Sequence, residues 1–159
     1  LRSHAASMLQ DIGEPPQVAG WQPYYQEPQY HEMWINTDTL PKRNQLTDAM
    51  VSEGGYGGVA IDVMAFAKRL SNPSDPVQLI TDSVAVLYRI DVSDTFKAWL
   101  KNTILLSGQN PDSDYYWTDA WNTYISNPGN AANTTIVQNR LILPCAQSWK
   151  VACVLCTST

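Results

Sequence analysis

The sequence predicts an all-α fold of about six amphipathic helices, interrupted near the N-terminus by one long ordered loop rich in proline and aromatic residues. Three observations carry that prediction. Apolar residues recur at spacings of three and four through most of the chain, and no segment sustains the period-two alternation of a strand. Helix-start signals precede several of those stretches. The exception is the segment 13–36, which holds Pro15, Pro16, Pro23 and Pro28 with Trp21, Tyr24, Tyr25, Tyr30 and Trp34, and fits neither period.

Taken in order, residues 1–12 read as the end of a helix, stopped by Gly13 and the pair Pro15-Pro16, which cannot continue it. A structureless loop as long as 13–36 is uncommon in a compact domain and is usually functional or disordered. Disordered segments are poor in aromatics, so the segment is expected to be ordered and pinned by buried rings. Asp38 is the expected N-cap of the next helix. It places Pro41 at the third helical position, where the missing N–H is an orphan donor anyway. That helix is expected to reach about Ser52.

The glycine-rich run at 54–58 reads as a flexible connector. A phosphate-cradling loop would need a preceding strand and a Lys-Ser/Thr pair, and both are missing. Val63, Phe66, Ala67 and Leu70 form an amphipathic stripe in a helix over 59–70. Asp75, Pro76 and Gln78 give a cap, a proline at the first helical position and a capping-box partner at the third. Val77, Ile80, Val84, Leu87 and Tyr88 should form the buried face of that helix. Ser93 should cap the next, with Phe96, Trp99, Leu100, Ile104 and Leu105 inward. After a polar loop at 108–114, Thr118 should cap a short helix carrying Trp121 and Ile125. A turn at Asn127-Pro128-Gly129 then leads to a last helix from Asn130 to about Leu143.

Past Arg140 the texture changes: Pro144 interrupts the pattern, and no acidic residue follows Asp119. The expected organisation is a helical domain over 1–140 and an atypical tail over 141–159. All three cysteines, Cys145, Cys153 and Cys156, lie in that tail. A Cys-x-x-Cys pair can be redox-active or half a zinc site, but neither the strand-helix-strand context nor a second ligand pair is present, so they read as ordinary thiols.

Composition narrows the function classes. A chain of 159 residues with 44% hydrophobic and 16% charged residues is globular and the size of one ordinary domain. A net charge of -5 with scattered lysines and arginines argues against a nucleic-acid surface. No apolar run approaches the ~20 residues of a membrane-spanning helix, and no signal peptide is visible. Because the chain opens on Leu1, it is expected to be a piece of a longer protein.

The motif Pro15-Pro16, Val18, Gly20-Trp21, followed by Trp34-Ile35-Asn36, Thr39-Leu40 and Arg43, resembles the signature of the domain of unknown function 1800 family. The run over 72–100 is similar to the paired helices that follow that signature. The resemblance covers roughly residues 5 to 140. It implies a C-terminal portion of a large, mostly helical bacterial protein that is usually exported, hence periplasmic or secreted. It implies no reaction, because the family has no settled activity. The family's larger N-terminal region is missing here, and 141–159 does not match the family's apolar, acidic-aromatic ending.

Two readings of the loop stand side by side. In the structural one, Trp21, Trp34, Asn36 and Arg43 anchor it: Gly20 lets Trp21 turn inward, Asn36 satisfies backbone donors, and Arg43 forks onto loop carbonyls or onto Glu27 or Glu32. In the functional one, Tyr24, Tyr25 and Tyr30, with Glu27 nearby, face outward as a platform for a polysaccharide or a protein partner. Catalysis by the loop carboxylates Glu14, Glu27 and Glu32 would need two of them held across a scissile bond, an arrangement that neighbouring loop residues seldom provide. His31 beside Glu32 is too few ligands for zinc, no G-x-S-x-G elbow is present, and no cofactor pattern is found. Asn133-Thr134-Thr135 fits the glycosylation triplet, which is common by chance. The alternative to binding or scaffolding is a hydrolase-like enzyme whose catalytic groups lie mainly in the absent N-terminal region.

Overall fold

A computed structural model describes residues 2–8, 37–52, 54–88, 91–110 and 113–155; for residues 2, 4, 143 and 146–155 it describes the backbone alone. The fold is all-α. Among the described residues seven helices follow in order: α1 (Arg2–Ser7), α2 (Thr39–Val51), α3 (Val63–Ala67), α4 (Pro76–Leu87), α5 (Asp94–Trp99), α6 (Tyr115–Ser126) and α7 (Ala131–Leu155). A π-helical segment, Leu100–Leu105, continues α5 without a break. Among the described residues no strand occurs, only an isolated bridge between Tyr56 and Val59.

The chain divides into two compact units, one of Leu1–Ala60 with Lys150–Thr159, the other of Ile61–Trp149. In the first, α2 begins on Thr39, which is wholly buried, and ends on the buried Val51. Asp38 does not cap it. Its backbone is helical (φ -92, ψ -47) and its side chain accepts no hydrogen bond from the first turn; instead the carboxylate pairs with Lys42 at 2.6 Å. A cap needs an extended backbone at that position, so a helical Asp38 aims its oxygens along the helix flank instead.

The glycine run is a shaped turn, in place of the expected flexible connector. Tyr56 N–H donates to Val59 O at 2.7 Å, and Val59 N–H donates back to Tyr56 O at 3.0 Å. Gly57 and Gly58 between them have φ of 59 and 78, the positive values that a two-residue primed hairpin requires. Gly55 is constrained twice over. Its φ is +64, and a Cβ there would lie 2.3 Å from Val59 O.

The second unit holds most of the described core. Helix α3 is shorter than the expected 59–70, because Asp62 adopts an extended backbone and caps it, accepting from Met64 N and Ala65 N. Val63, Met64 and Ala67 are buried, while Phe66 and Leu70 are half-buried. Asp75 caps α4 as expected, accepting from Val77 N at 2.9 Å and Gln78 N at 3.4 Å, with Pro76 at the helix start. Gln78 does not close a capping box; its amide donates to Asp82 Oδ1 at 2.6 Å. Ile80, Val84 and Tyr88 are buried as expected, and Leu79 joins them, but Val77 is 52% exposed. It stands at the second helical position, on the side opposite Leu79.

Ser93 caps α5 through Phe96 N at 3.3 Å. The π-segment then sets the core register. Leu106 N–H reaches back five residues to Lys101 O at 2.9 Å. Residues five apart point about 140° apart in an α-helix but only about 50° apart in the wider π-turn, so Leu100 and Leu105 are both buried, with Leu106 beside them. Trp99, expected inward, is 41% exposed and stacks on Phe96 at 5.6 Å. Both α5 and the π-segment pack against α4.

Helix α6 starts four residues earlier than expected. Thr118 therefore lies inside it, and its hydroxyl donates to Ser74 O at 2.9 Å rather than capping. The inward stripe is Trp117, Trp121 and Tyr124, and Ile125 is half exposed. Asn127 O accepts from Asn130 N at 3.2 Å across the expected turn, and Asn130 Oδ1 accepts from Ala132 N at the start of α7. This helix does not end near Leu143. It runs through Pro144 to Leu155, burying Val137, Leu141, Pro144 and Cys145 on the way. The change of texture after Arg140 is thus a change of composition with no break in the helix.

Candidate functional site

Of the residues expected to form the site, Trp21, Tyr24, Tyr25, Glu27, Tyr30, Trp34 and Asn36 lie outside the described residues. So do Glu27 and Glu32 as partners for Arg43. Arg43 itself is half-buried in the middle of α2, where its carbonyl accepts from Thr47 Oγ1 at 3.0 Å. What the structure brings together are four other groupings, all in the unit Ile61–Trp149.

The first is an aromatic stack. Trp117 and Trp121 lie 5.7 Å apart at 29°, and Trp121 meets Tyr124 at 5.8 Å. Trp117 donates its indole N–H to Pro73 O at 2.8 Å, and Lys68 Nζ stands 4.9 Å over the Tyr124 ring. These contacts fasten α6 to the turn before α4. The arrangement is structural: the rings face protein rather than a cleft.

The second is a polar clasp. The Asp82 carboxylate accepts from Ser71 N at 3.0 Å, from Ser71 Oγ in a short bond, and from Gln78 Nε2. The Ser71 hydroxyl holds the Asp82 carboxyl below its ordinary range against the opposing push of desolvation, and the bonds from Ser71 N and Gln78 add to the lowering. A carboxylate made more acidic in this way is a poorer proton acceptor, so the pair does not make Ser71 a nucleophile. It ties the turn after α3 to α4.

The third is a narrow apolar cleft with about 10 Å³ of free space, bordered by Leu79, Val84, Leu100, Leu105, Leu141 and Cys145. That is room for about one water, and the walls offer it too few polar partners. Burial pushes the Cys145 thiol up to about 12, so at neutral pH it is protonated and inert.

The fourth grouping faces solvent. Tyr115 and Tyr116 open α6 with rings 4.2 Å apart at 30°. They are 55% and 37% exposed. A hydrogen bond to Tyr116 raises the Tyr115 phenol above its ordinary range, with further contributions from desolvation and the nearby Asp119. Beneath them Lys101 Nζ pairs with Asp114 at 2.8 Å and fixes the start of α6 against the π-segment. Sequence reasoning missed this pair because it capped the helix at Thr118, beyond both tyrosines. The signal was present: Trp117, Trp121 and Tyr124 form a stripe at steps of four and three that leaves the preceding two tyrosines off the core face.

Among the described residues, no group of three or more His, Cys, Asp or Glu side chains comes together to hold a metal ion, and no helix is long and apolar enough to cross a membrane. What the fold defines is an all-α protein. Compared with known proteins, the chain matches no family model, no curated protein and no solved structure.

Proposed function

We propose that this chain is a binding or scaffolding piece of a larger exported bacterial protein, acting through the aromatic segment 13–36 on a polysaccharide or a protein partner. Tyr24, Tyr25 and Tyr30 with Glu27 supply the contact surface, while Trp21, Trp34, Asn36 and Arg43 hold it in shape. One observation carries this reading: the density of aromatics and prolines in a segment followed at once by the wholly buried Thr39 at the head of α2. An aromatic surface held in one shape binds with less entropy to lose. The resemblance to the domain of unknown function 1800 family supports the class and a periplasmic or secreted location.

The test is a triple substitution of Tyr24, Tyr25 and Tyr30 by Ala in the full chain, assayed by co-sedimentation with insoluble polysaccharides and with peptidoglycan, and by capture of envelope proteins. Binding should fall roughly tenfold, as for loss of ring contacts, with the melting temperature unchanged. A stability loss of about 3–5 kcal/mol would instead place the tyrosines in the core and end this reading.

A further inference from the structure

We propose that the solvent face of α6, led by Tyr115 and Tyr116, is a second binding surface, and that its occupant is a neutral polysaccharide chain. Unlike the loop reading, this rests wholly on described residues. The two rings stack on each other, and both are exposed, Tyr115 by more than half. They are the first of a set of exposed side chains: Tyr115, Asp119 and Asn122 follow one another at steps of four and three, with Tyr116 and Thr123 alongside. The set spans about 10 Å of helix, longer than a single sugar ring.

Its chemistry selects the occupant. Pyranose rings present flat patches of C–H that pack on aromatic faces, flanked by hydroxyls that both donate and accept. The planar carboxylate of Asp119 and amide of Asn122, with the Thr123 hydroxyl, match those hydroxyls one turn further along. Helix α6 contains no Lys or Arg, and Asp119 is its one charged residue. Of the cations beside the helix, Lys101 is paired with Asp114 and Lys68 lies over the Tyr124 ring on the inward side. A face whose only charge is negative repels nucleic acids and acidic polysaccharides, and it lacks the continuous apolar area of a protein interface core.

The experiment is affinity electrophoresis of the full chain through gels containing mixed-linkage glucan, galactomannan or glycol chitin. It compares the unsubstituted protein with Y115A/Y116A, Y115F/Y116F and the loop triple Y24A/Y25A/Y30A. At least one neutral polymer should retard the protein. Y115A/Y116A should weaken that retardation roughly tenfold, and Y115F/Y116F should change it less than about threefold because the rings remain. A melting curve checks each variant; if the double alanine variant fails to fold, Y115S alone takes its place and should weaken retardation in the same direction. Retardation by none of the polymers, or equal retardation of Y115A/Y116A, overturns the inference. Loss confined to the loop triple also overturns it while leaving the loop reading standing. Loss confined to the α6 variants does the reverse.

Discussion

Trp117 links distant parts of the sequence: it is fully buried, stacks on Trp121, and donates its indole N–H to Pro73 O across 44 residues of sequence. Two substitutions separate its apolar and polar contributions. Trp117→Phe keeps most of the buried ring but removes the donor, leaving a carbonyl without that partner, and should cost about 1–3 kcal/mol in urea denaturation. Trp117→Ala empties the site and should cost about 3–5 kcal/mol. Equal losses for the two would mean that the hydrogen bond, not the packing, dominates. At this scale the sequence was a good guide to which rings are large enough to matter and a poor guide to which way they point. Trp121 is buried as the period predicts, but Val77, Trp99 and Ile125 are not. Val77 and Ile125 sit within one turn of a helix end, where the core no longer surrounds the whole circumference, and Trp99 sits where α5 passes into the π-segment.

At the scale of elements, capping divides cleanly by backbone geometry. Asp62, Asp75 and Ser93 have extended ψ of 93, 116 and 147 and hold first-turn donors. Asp38 and Asp114 are helical, hold none, and pair with Lys42 and Lys101 instead. Residue type alone marks all five as candidates; a lysine within reach, one turn on or across a loop, competes for two of them. The π-segment was not legible, since Leu100, Ile104 and Leu105 also satisfy an α-helical stripe and only the five-residue hydrogen bond reveals the wider turn. Between elements, the Asp82 clasp makes a prediction about acid stability. Its folded pKa is lowered, so its stabilisation is fully present above the unfolded value near ~4 and is lost as pH falls through the folded one. In Asp82→Asn that contribution is absent at every pH. Stability measured between about pH 5 and pH 2 should therefore fall less steeply in the variant than in the parent. Parallel curves would show that the clasp does not couple to folding.

Across the whole molecule, helical period and turn chemistry were sufficient for the all-α class and for the start of most helices, because those depend on local backbone preferences. The course of α7 was not, because an interior proline is a strong local stop that tertiary packing has overridden. Pro144 is itself buried, beside Leu141 and Cys145, so its apolar contacts help offset the helix bond it cannot make. Of the two proposed surfaces, the sequence pointed to the tyrosines of 13–36, which lie outside the described residues, whereas Tyr115 and Tyr116 needed the placement of α6 to stand out. The distribution of buried residues carries a last prediction. Among the described residues, the buried apolar side chains from Val63 through Cys145 all belong to the unit Ile61–Trp149, with Thr39 and Val51 the buried residues of the other. Inside 61–149 the two bonds from α6 to the turn at Pro73 and Ser74, the Lys101–Asp114 pair and the Asp82 clasp are all complete. A fragment of 61–149 retains every one of these partners, and its roughly 90 residues suffice for an independent core. Expressed alone, it should melt in one cooperative transition with near-ultraviolet dichroism from its packed tryptophans. A helical but non-cooperative fragment lacking that signal would show that residues beyond 61–149 are needed to set its core.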